Sequence, residues 1–381
     1  MQIFLDKEEV STIYQRMLGL HIGKKFASTK SGKIIDAEQQ HSEQENRRRE
    51  LLAVEEEAKK EKIIAQHGEQ HFRDQVKTHL YGKIISKMNN ELTDKELLFQ
   101  QILRIEDGTT AILDLLAVRA ASIKRVKPLT STLLWLSNDL IRLVNKPQYR
   151  KRADVQIHNV DVALSYIGLD NLKLIMPTFI LKHYLPSSTT PFSLMKRKLW
   201  NDSLSTGLAT SILAQEYAID EYAAFTAGLF SNLGRFIVTR LFFRAYHDIH
   251  AKAVRKAFTD QDKRLHDILL SIKPDADVLL NQLTRHSAQI GAEMIELMRF
   301  ERLPLTEPLF DIAYTTDYDK MHPIAQIITK AQGYIAFRNL AKESLISSHE
   351  AKLLLASAKL LPEEIALLKK SDIDHLKLKF T

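Results

Sequence analysis

The sequence predicts an all-α protein, and three observations lead there. Gly (12) and Pro (10) are sparse in 381 residues, so the turns that a sheet requires lack their usual residues. Apolar residues recur at helical spacing, as in Ile112, Leu115, Leu116 and Val118. No convincing run alternates apolar and polar residues, and no internal repeat is present. A hydrophobic share of 45% is enough for a sizeable core, and the length suits two or three domains of about 100–200 residues each.

The elements follow in order. The first 25 or so residues predict a short helix with Asp6 as N-cap and Glu9 at the third helical position. Phe26 to Lys33, with Ser28, Ser31 and Gly32, reads as a flexible link. A charged arm comes next, in which Glu precedes a base by four at Glu43–Arg47, Glu45–Arg49, Glu55–Lys59 and Glu56–Lys60. That order supports a helix by about 0.2–0.5 kcal/mol per pair. A sustained apolar seam is missing, so the arm reads as a solvated helix or weak coiled coil. Thr93-Asp94-Lys95-Glu96 is a capping box opening a helix through about Ile105, which Gly108 breaks. Helices are expected near 130–144, 159–168 and 170–184, the last opened by Asp170 after Gly168. Pro186 to Pro191 is a loop. Beyond it, helices are expected near 193–217, 220–230, 234–257, 261–271, 276–300, 321–341 and 347–360. The expected division is a short helix and link over 1–35, a charged helical arm over 36–105, a main domain over 106–345 and C-terminal helices over 346–381. The main domain splits into halves at 106–185 and 192–345.

Composition narrows the chemistry. The absence of Cys excludes disulfides, Cys zinc sites, Fe–S clusters and thiol catalysis. A net charge of +7 permits an anionic partner without requiring one. The N-terminus lacks the basic and apolar regions of a signal peptide. The longest apolar window, Leu229 to Phe243, contains Arg235 and Arg240, so no membrane insertion and a cytoplasmic location are expected. Basic clusters occur at Lys124-Arg125-Val126-Lys127, Lys146 to Arg152 and Lys196-Arg197-Lys198. In the middle one, Lys146, Arg150, Lys151 and Arg152 are candidates for phosphate contacts, with Tyr149 placed to stack a nucleobase. A solvated loop explains the same residues, and no helix-turn-helix or RNP-type aromatic pair accompanies them. His247-Asp248 and His266-Asp267 read as solvated helix faces. His67 and His71 have the i,i+4 spacing of a zinc pair, but Glu69 is misplaced for a metalloprotease and Gly68 weakens the helix.

Three local patterns carry more. The first is Asp139 to Asn145 followed by Val162 to Leu172; the second is Leu199-Trp200-Asn201-Asp202-Ser203-Leu204; the third is Ala224-Phe225-Thr226-Ala227-Gly228-Leu229-Phe230-Ser231-Asn232-Leu233-Gly234-Arg235. In this order they resemble the HDOD domain of bacterial signalling proteins, a non-catalytic relative of the HD phosphohydrolases. The first looks like the family's "LLRLxN … AIxxLG" segment, the second like "LWxHS", the third like "AFxAGLLHDIGK". His286-Ser287-Ala288-Gln289-Ile290-Gly291-Ala292 with Leu303-Pro304 looks like "HaevGa … LP", and Ala325 to Ala331 resembles the late helix that carries the last aspartate of the HD enzymes. The resemblance spans about 110 to 340, and residues 1–105 offer no pattern that extends it.

The resemblance implies where a metal site would lie. An HD hydrolase holds one or two divalent metals with a His, a His-Asp doublet and a distant Asp. Here Asp202 stands at the first His, Ser231-Asn232 at the doublet, Gln332 at the distant Asp, and Arg235 at the usual Lys. His286 lies in the segment that follows. Neutral hydroxyls and amides balance a dication poorly, so no metal, no other cofactor and no catalysis are expected. The resemblance implies a regulatory scaffold in signal transduction, contacting signalling proteins or a second copy through the N-terminal arm. No receiver, GGDEF or EAL segment accompanies it. A phosphohydrolase with a rearranged set such as Asp202 and His286, or a nucleotide- or nucleic-acid-binding regulator, are the alternatives. Gly228 and Gly234 are read as sites of close helix packing or a sharp turn, and Trp200 as a core residue in preference to a ligand platform. Asn145 is open between capping and a buried network. Asp202 and Asn232 have a direct hydrogen bond as one reading.

Overall fold

The computed structural model describes residues 1–30, 53–150 and 156–378, with side chains throughout that range except over 53–67. Among the described residues there is no strand, and no helix is long and apolar enough to cross a membrane.

Five helices build the centre: α11 (Met195–Glu216), α12 (Glu221–Phe230), α13 (Leu233–Thr259), α15 (Ala276–Leu297) and α17 (Pro323–Lys342). α11 packs on α12 and α17, and α13 on α15. Two glycines set how close these helices come. A Cβ on Gly228 would lie 2.4 Å from Thr210 Oγ1, so α12 lies tight against α11. A Cβ on Gly234 would lie 1.7 Å from the Ser287 carbonyl oxygen, so the backbones of α13 and α15 touch where they cross. Between the two glycines, Ser231 and Asn232 form the turn from α12 into α13. Buried Phe225, Phe230, Phe236 and Phe242 fill the surrounding core.

The N-terminal residues are built into this body. Three helices occur there, α1 (Gln2–Leu5), α2 (Glu8–Ile22) and α3 (Lys24–Thr29). The expected Asp6 cap is absent: Asp6 closes α1, and Lys7 precedes α2 without a side-chain cap. The Phe26–Lys33 link is helical as far as Thr29, and the rest of it past Lys30 lies outside the described residues. α2 packs against α11, α15, α17 and α18 (Ser348–Ser357). It buries Ile13, Tyr14, Met17 and Leu18, which explains why an apparently peripheral helix is held firmly. Arg16 anchors it by donating to Leu345 O at 2.8 Å and to Glu350 Oε1 at 2.8 Å.

The charged arm is only partly solvated. The pairs Glu43–Arg47 and Glu45–Arg49 lie outside the described residues, as do the side chains of Glu55 to Lys60. Ala53–Thr93 is one helix, α4, and its second half buries Leu80, Tyr81, Ile84 and Met88 against the body. It is tied there by Lys77 to Asp275 at 2.5 Å and by Tyr81 Oη donating to Lys273 O at 2.7 Å. The expected capping box is absent, and a single side-chain cap one residue later takes its place. Asp94 accepts from Leu97 N and opens α5 (Lys95–Leu97), which widens into a π-helix over Leu98–Leu103. Arg104, not Gly108, stops it, in the left-handed conformation at φ 55°. Gly108 sits inside α6 (Asp107–Leu116).

Further along, the single helix expected over 130–144 is two, α7 (Ile123–Thr132) and α8 (Leu134–Val144), parted at Leu133. α9 (Val160–Ile167), α10 (Leu169–His183) and α14 (Lys263–Ser271) fall where expected. Gly168, at φ 78°, makes the sharp joint between α9 and α10. Helices Thr306–Tyr314 (α16) and Pro362–Lys370 (α19) are additional.

Candidate functional site

Asp202 faces inward from α11 and is 6% exposed. Its carboxylate is fully engaged. Oδ2 lies 2.6 Å from His21 Nε2 of α2 and 3.6 Å from Arg235 Nη1 of α13, and Oδ1 accepts from Asn339 Nδ2 of α17 at 2.7 Å. Burial alone would push the Asp202 pKa up, but His21, Arg235 and Asn339 outweigh it and hold the group below the usual carboxylate range.

The neighbouring positions add further polar contacts. Thr206 donates to Asp202 O at 2.6 Å and accepts a long 3.5 Å contact from Asn232 Nδ2. Asp202 and Asn232 therefore meet through Thr206, and the direct bond between them is absent. Ser231 donates to Gly228 O at 2.7 Å and accepts from Gln332 Nε2 at 3.1 Å. Arg235 donates to Tyr14 Oη at 2.7 Å, its guanidinium 6.0 Å from the ring centroid. Four buried atoms in this cluster have no protein partner: His21 Nδ1, Asn232 Oδ1, Arg235 Nε and Gln332 Oε1.

These residues do not fit a divalent cation. The cluster offers one carboxylate, and that carboxylate already faces an imidazole and a guanidinium. Arg235 cannot give up its charge, so a dication on Asp202 would stand against a fixed positive group. The remaining donors, Ser231, Asn232 and Gln332, are neutral and supply no charge to offset it. Among the described residues, no group of three or more His, Asp or Glu side chains is arranged to hold a metal ion.

Asp202, Ser231, Asn232, Arg235 and Gln332 are thus brought into one connected cluster, and His286 is not. His286 points from α15 into a separate groove, which it lines with Asn89, Leu92 and Arg285. A metal set of Asp202 with His286 has no geometric basis. The residues that complete the cluster, Tyr14, His21 and Asn339, carry no local motif. The one hint in the sequence is a histidine in the last turn of an apolar helix, beside Leu18, Leu20 and Ile22.

The remaining predicted residues lie elsewhere. Asn145 performs both tasks left open for it, donating to Ile141 O at 2.9 Å and to Ile157 O at 2.7 Å while accepting from Ile157 N at 3.0 Å. It closes the base of the basic loop. In that loop Lys146 is exposed, Tyr149 and Arg150 are half-buried, and Arg150 Nε donates to Asn145 O at 2.6 Å. Lys151 and Arg152 lie outside the described residues. Trp200 is half-buried against the core, with the Lys182 ammonium 5.5 Å from its ring centroid. Asp248 pairs with Lys87 and Lys252. His71 contacts Gln75 on the exposed face of α4, and the side chain of His67 lies outside the described residues.

Comparison with known proteins gives three results. The HDOD domain family matches residues 103–273. No curated protein matches the sequence. A crystal structure from Shewanella amazonensis SB2B, provisionally named a metal-dependent phosphohydrolase, is similar at 15% identity, covering 76% of this chain and 99% of that one with a TM-score of 0.41. That likeness is too loose to pair individual site residues. The family match contains Asp202, Ser231, Asn232 and Arg235, whereas His21, Gln332 and Asn339 come from outside it. Residues 103–273 of this chain are an HDOD domain.

Proposed function

We propose that this chain is a non-catalytic regulatory scaffold of the HDOD type, in which the position of an ancestral metal site has become a structural polar cluster. One observation carries the reading: both oxygens of Asp202, the lone carboxylate of the cluster, are taken by His21, Arg235 and Asn339. Hydrolysis by an HD-type centre needs a metal to lower the pKa of a bound water. A carboxylate already paired with the fixed Arg235 guanidinium offers that metal no net negative charge. The helices around it, α2, α11, α13 and α17, are locked together by the same contacts, which suits a rigid frame for binding partners.

The partner contact belongs to the same proposal. It places a signalling protein or a second copy on the charged arm, whose outer face over Gly68–His79 is polar and exposed.

Elemental analysis of the full chain, purified without chelator and then assayed for phosphate release with manganese, tests the reading. Substoichiometric metal and no metal-dependent release are expected. Stoichiometric manganese, iron or zinc, with turnover that chelation abolishes, would overturn it.

A further inference from the structure

A cleft of about 790 Å³ lies between the π-helical turn, the loop after α10 and the Arg240–His247 stretch of α13. Its volume falls in the range of small-molecule sites. Three arginines converge on it. Arg240 and Arg244 are one helical turn apart on α13, and Arg104 enters from the left-handed end of the π-helix. π-helical turns are rare and recur at functional sites, and a left-handed non-glycine residue is a strained position that recurs there too. Here that geometry holds a third guanidinium beside the other two.

The cations are unbalanced. No Asp or Glu lines the cleft, and among the described residues Arg104, Arg240 and Arg244 have no ion pair. Arg240 Nη1 is buried without a hydrogen-bond partner. Burial and the nearby Arg104 charge both disfavour the Arg240 cation. Glu106 and Asp139 act electrostatically on His183 at the cleft wall, but neither lines the cleft and, among the described residues, neither pairs with its three arginines. Like charges gathered without counter-charge are a cost to the fold, and an anion removes that cost. Ser187 and Ser188 add hydroxyl donors on the loop side.

We propose that this cleft binds the linked phosphates of a small anionic ligand, a diphosphate or triphosphate, through Arg104, Arg240 and Arg244. Guanidinium forks match phosphate oxygens two at a time. Three of them exceed what a single monoanion balances, which selects for linked phosphates over a lone phosphate or carboxylate. The ring of Phe243 lines the cleft, with His247 near parallel to it at 6.4 Å between centroids. Phe243 is buried and backs the exposed His247 ring, which is the one ring that offers a nucleobase a surface, so inorganic pyrophosphate and a nucleotide are the two sources the test separates. The inference does not depend on the fate of the Asp202 cluster.

Calorimetric titration of the full chain with sodium pyrophosphate, ATP and adenosine tests it. Trp135, stacked on His183 at 4.0 Å, supplies a fluorescence signal at the cleft wall. Pyrophosphate and ATP are expected to bind in the micromolar range and adenosine not at all. Tighter binding of ATP assigns the source to a nucleotide, and equal binding assigns it to the phosphates alone. Arg240→Gln and Arg104→Gln should each weaken binding by about tenfold or more, and the exposed Arg244→Gln should also weaken it. Arg302→Gln, in a different cleft, should leave it unchanged. Because Arg240→Gln removes like-charge repulsion, its melting temperature without ligand should equal or exceed that of the parent. No binding of pyrophosphate or ATP at about 1 mM, or binding indifferent to all three cleft variants, would overturn the proposal.

Discussion

Gly234 and Ser287 meet backbone to backbone: a Cβ added to Gly234 would stand 1.7 Å from the Ser287 carbonyl oxygen. Neither helix can yield without disturbing the core that α13 and α15 share. Gly234→Ala should therefore destabilise the chain by at least about 1–3 kcal/mol. Gly68, in α4, has open space where its Cβ would be, so Gly68→Ala should stabilise by up to about 1 kcal/mol. Urea unfolding of both variants checks the opposite signs. Equal, small effects would contradict the close crossing.

Lys330 and Glu364 form a buried ion pair at 2.5 Å, with side chains 6% and 7% exposed, joining α17 to α19. Lys330 also donates to Tyr217 Oη at 2.7 Å. Removing one partner leaves a buried charge, so Lys330→Met should cost about 3–5 kcal/mol. Combining it with Glu364→Gln, which keeps an oxygen for the Leu361 N–H, should cost less than the two singles summed. A double-mutant cycle by denaturant unfolding measures the difference, and strict additivity would sink the pairing.

Acid sensitivity should arise partly at Glu350. Burial favours its neutral form, but the Arg16 guanidinium and the Ser347 N–H outweigh that and bring its pKa down to about 2. A carboxylate lowered on folding contributes stability that is full above its ordinary value near 4.5 and is lost as pH falls through about 2. Unfolding free energies measured between pH 5 and pH 2 should fall less steeply for Glu350→Gln than for the parent. Asp202, lowered in the same direction, keeps part of the slope. An unchanged slope would show that Glu350 has no such role.

The Asp202 cluster makes its own prediction. His21→Ala removes a partner at 2.6 Å and leaves a buried carboxylate oxygen short of a hydrogen bond, costing about 1–3 kcal/mol. Adding Asp202→Asn should recover part of that loss, because a neutral amide left unpaired in the core costs less than a carboxylate. Thermal and urea unfolding of the two singles and the double decide it; a double that merely sums the singles would argue against a charge-based link.

What the sequence revealed follows the range of each interaction. Helical periodicity located most helices between Val160 and Lys342, because burial of an apolar face is written locally. Gly228 and Gly234 could be read as packing glycines because they flank a turn within seven residues of one another. His286 could not be placed, because its direction depends on how α15 is turned. The crossing at Gly234 brings the Ser287 backbone against α13 and leaves the neighbouring His286 facing the groove beside α4. The roles of Arg16, Tyr14 and His21 were hidden for a similar reason: each partner lies hundreds of positions away, or nearly so, and no periodicity encodes it. Pro308 and Pro362 masked α16 and α19, since a proline in the first turn of a helix resembles a break.

The contact between His21 and Asp202 has a consequence for descent. Neither position can drift alone, since a stranded imidazole or a stranded carboxylate would weaken every generation that carried it. Among chains sharing this ancestry, the two sites should be replaced in concert, and the leading helices should be inherited with the HDOD region instead of being shuffled onto it as an exchangeable accessory.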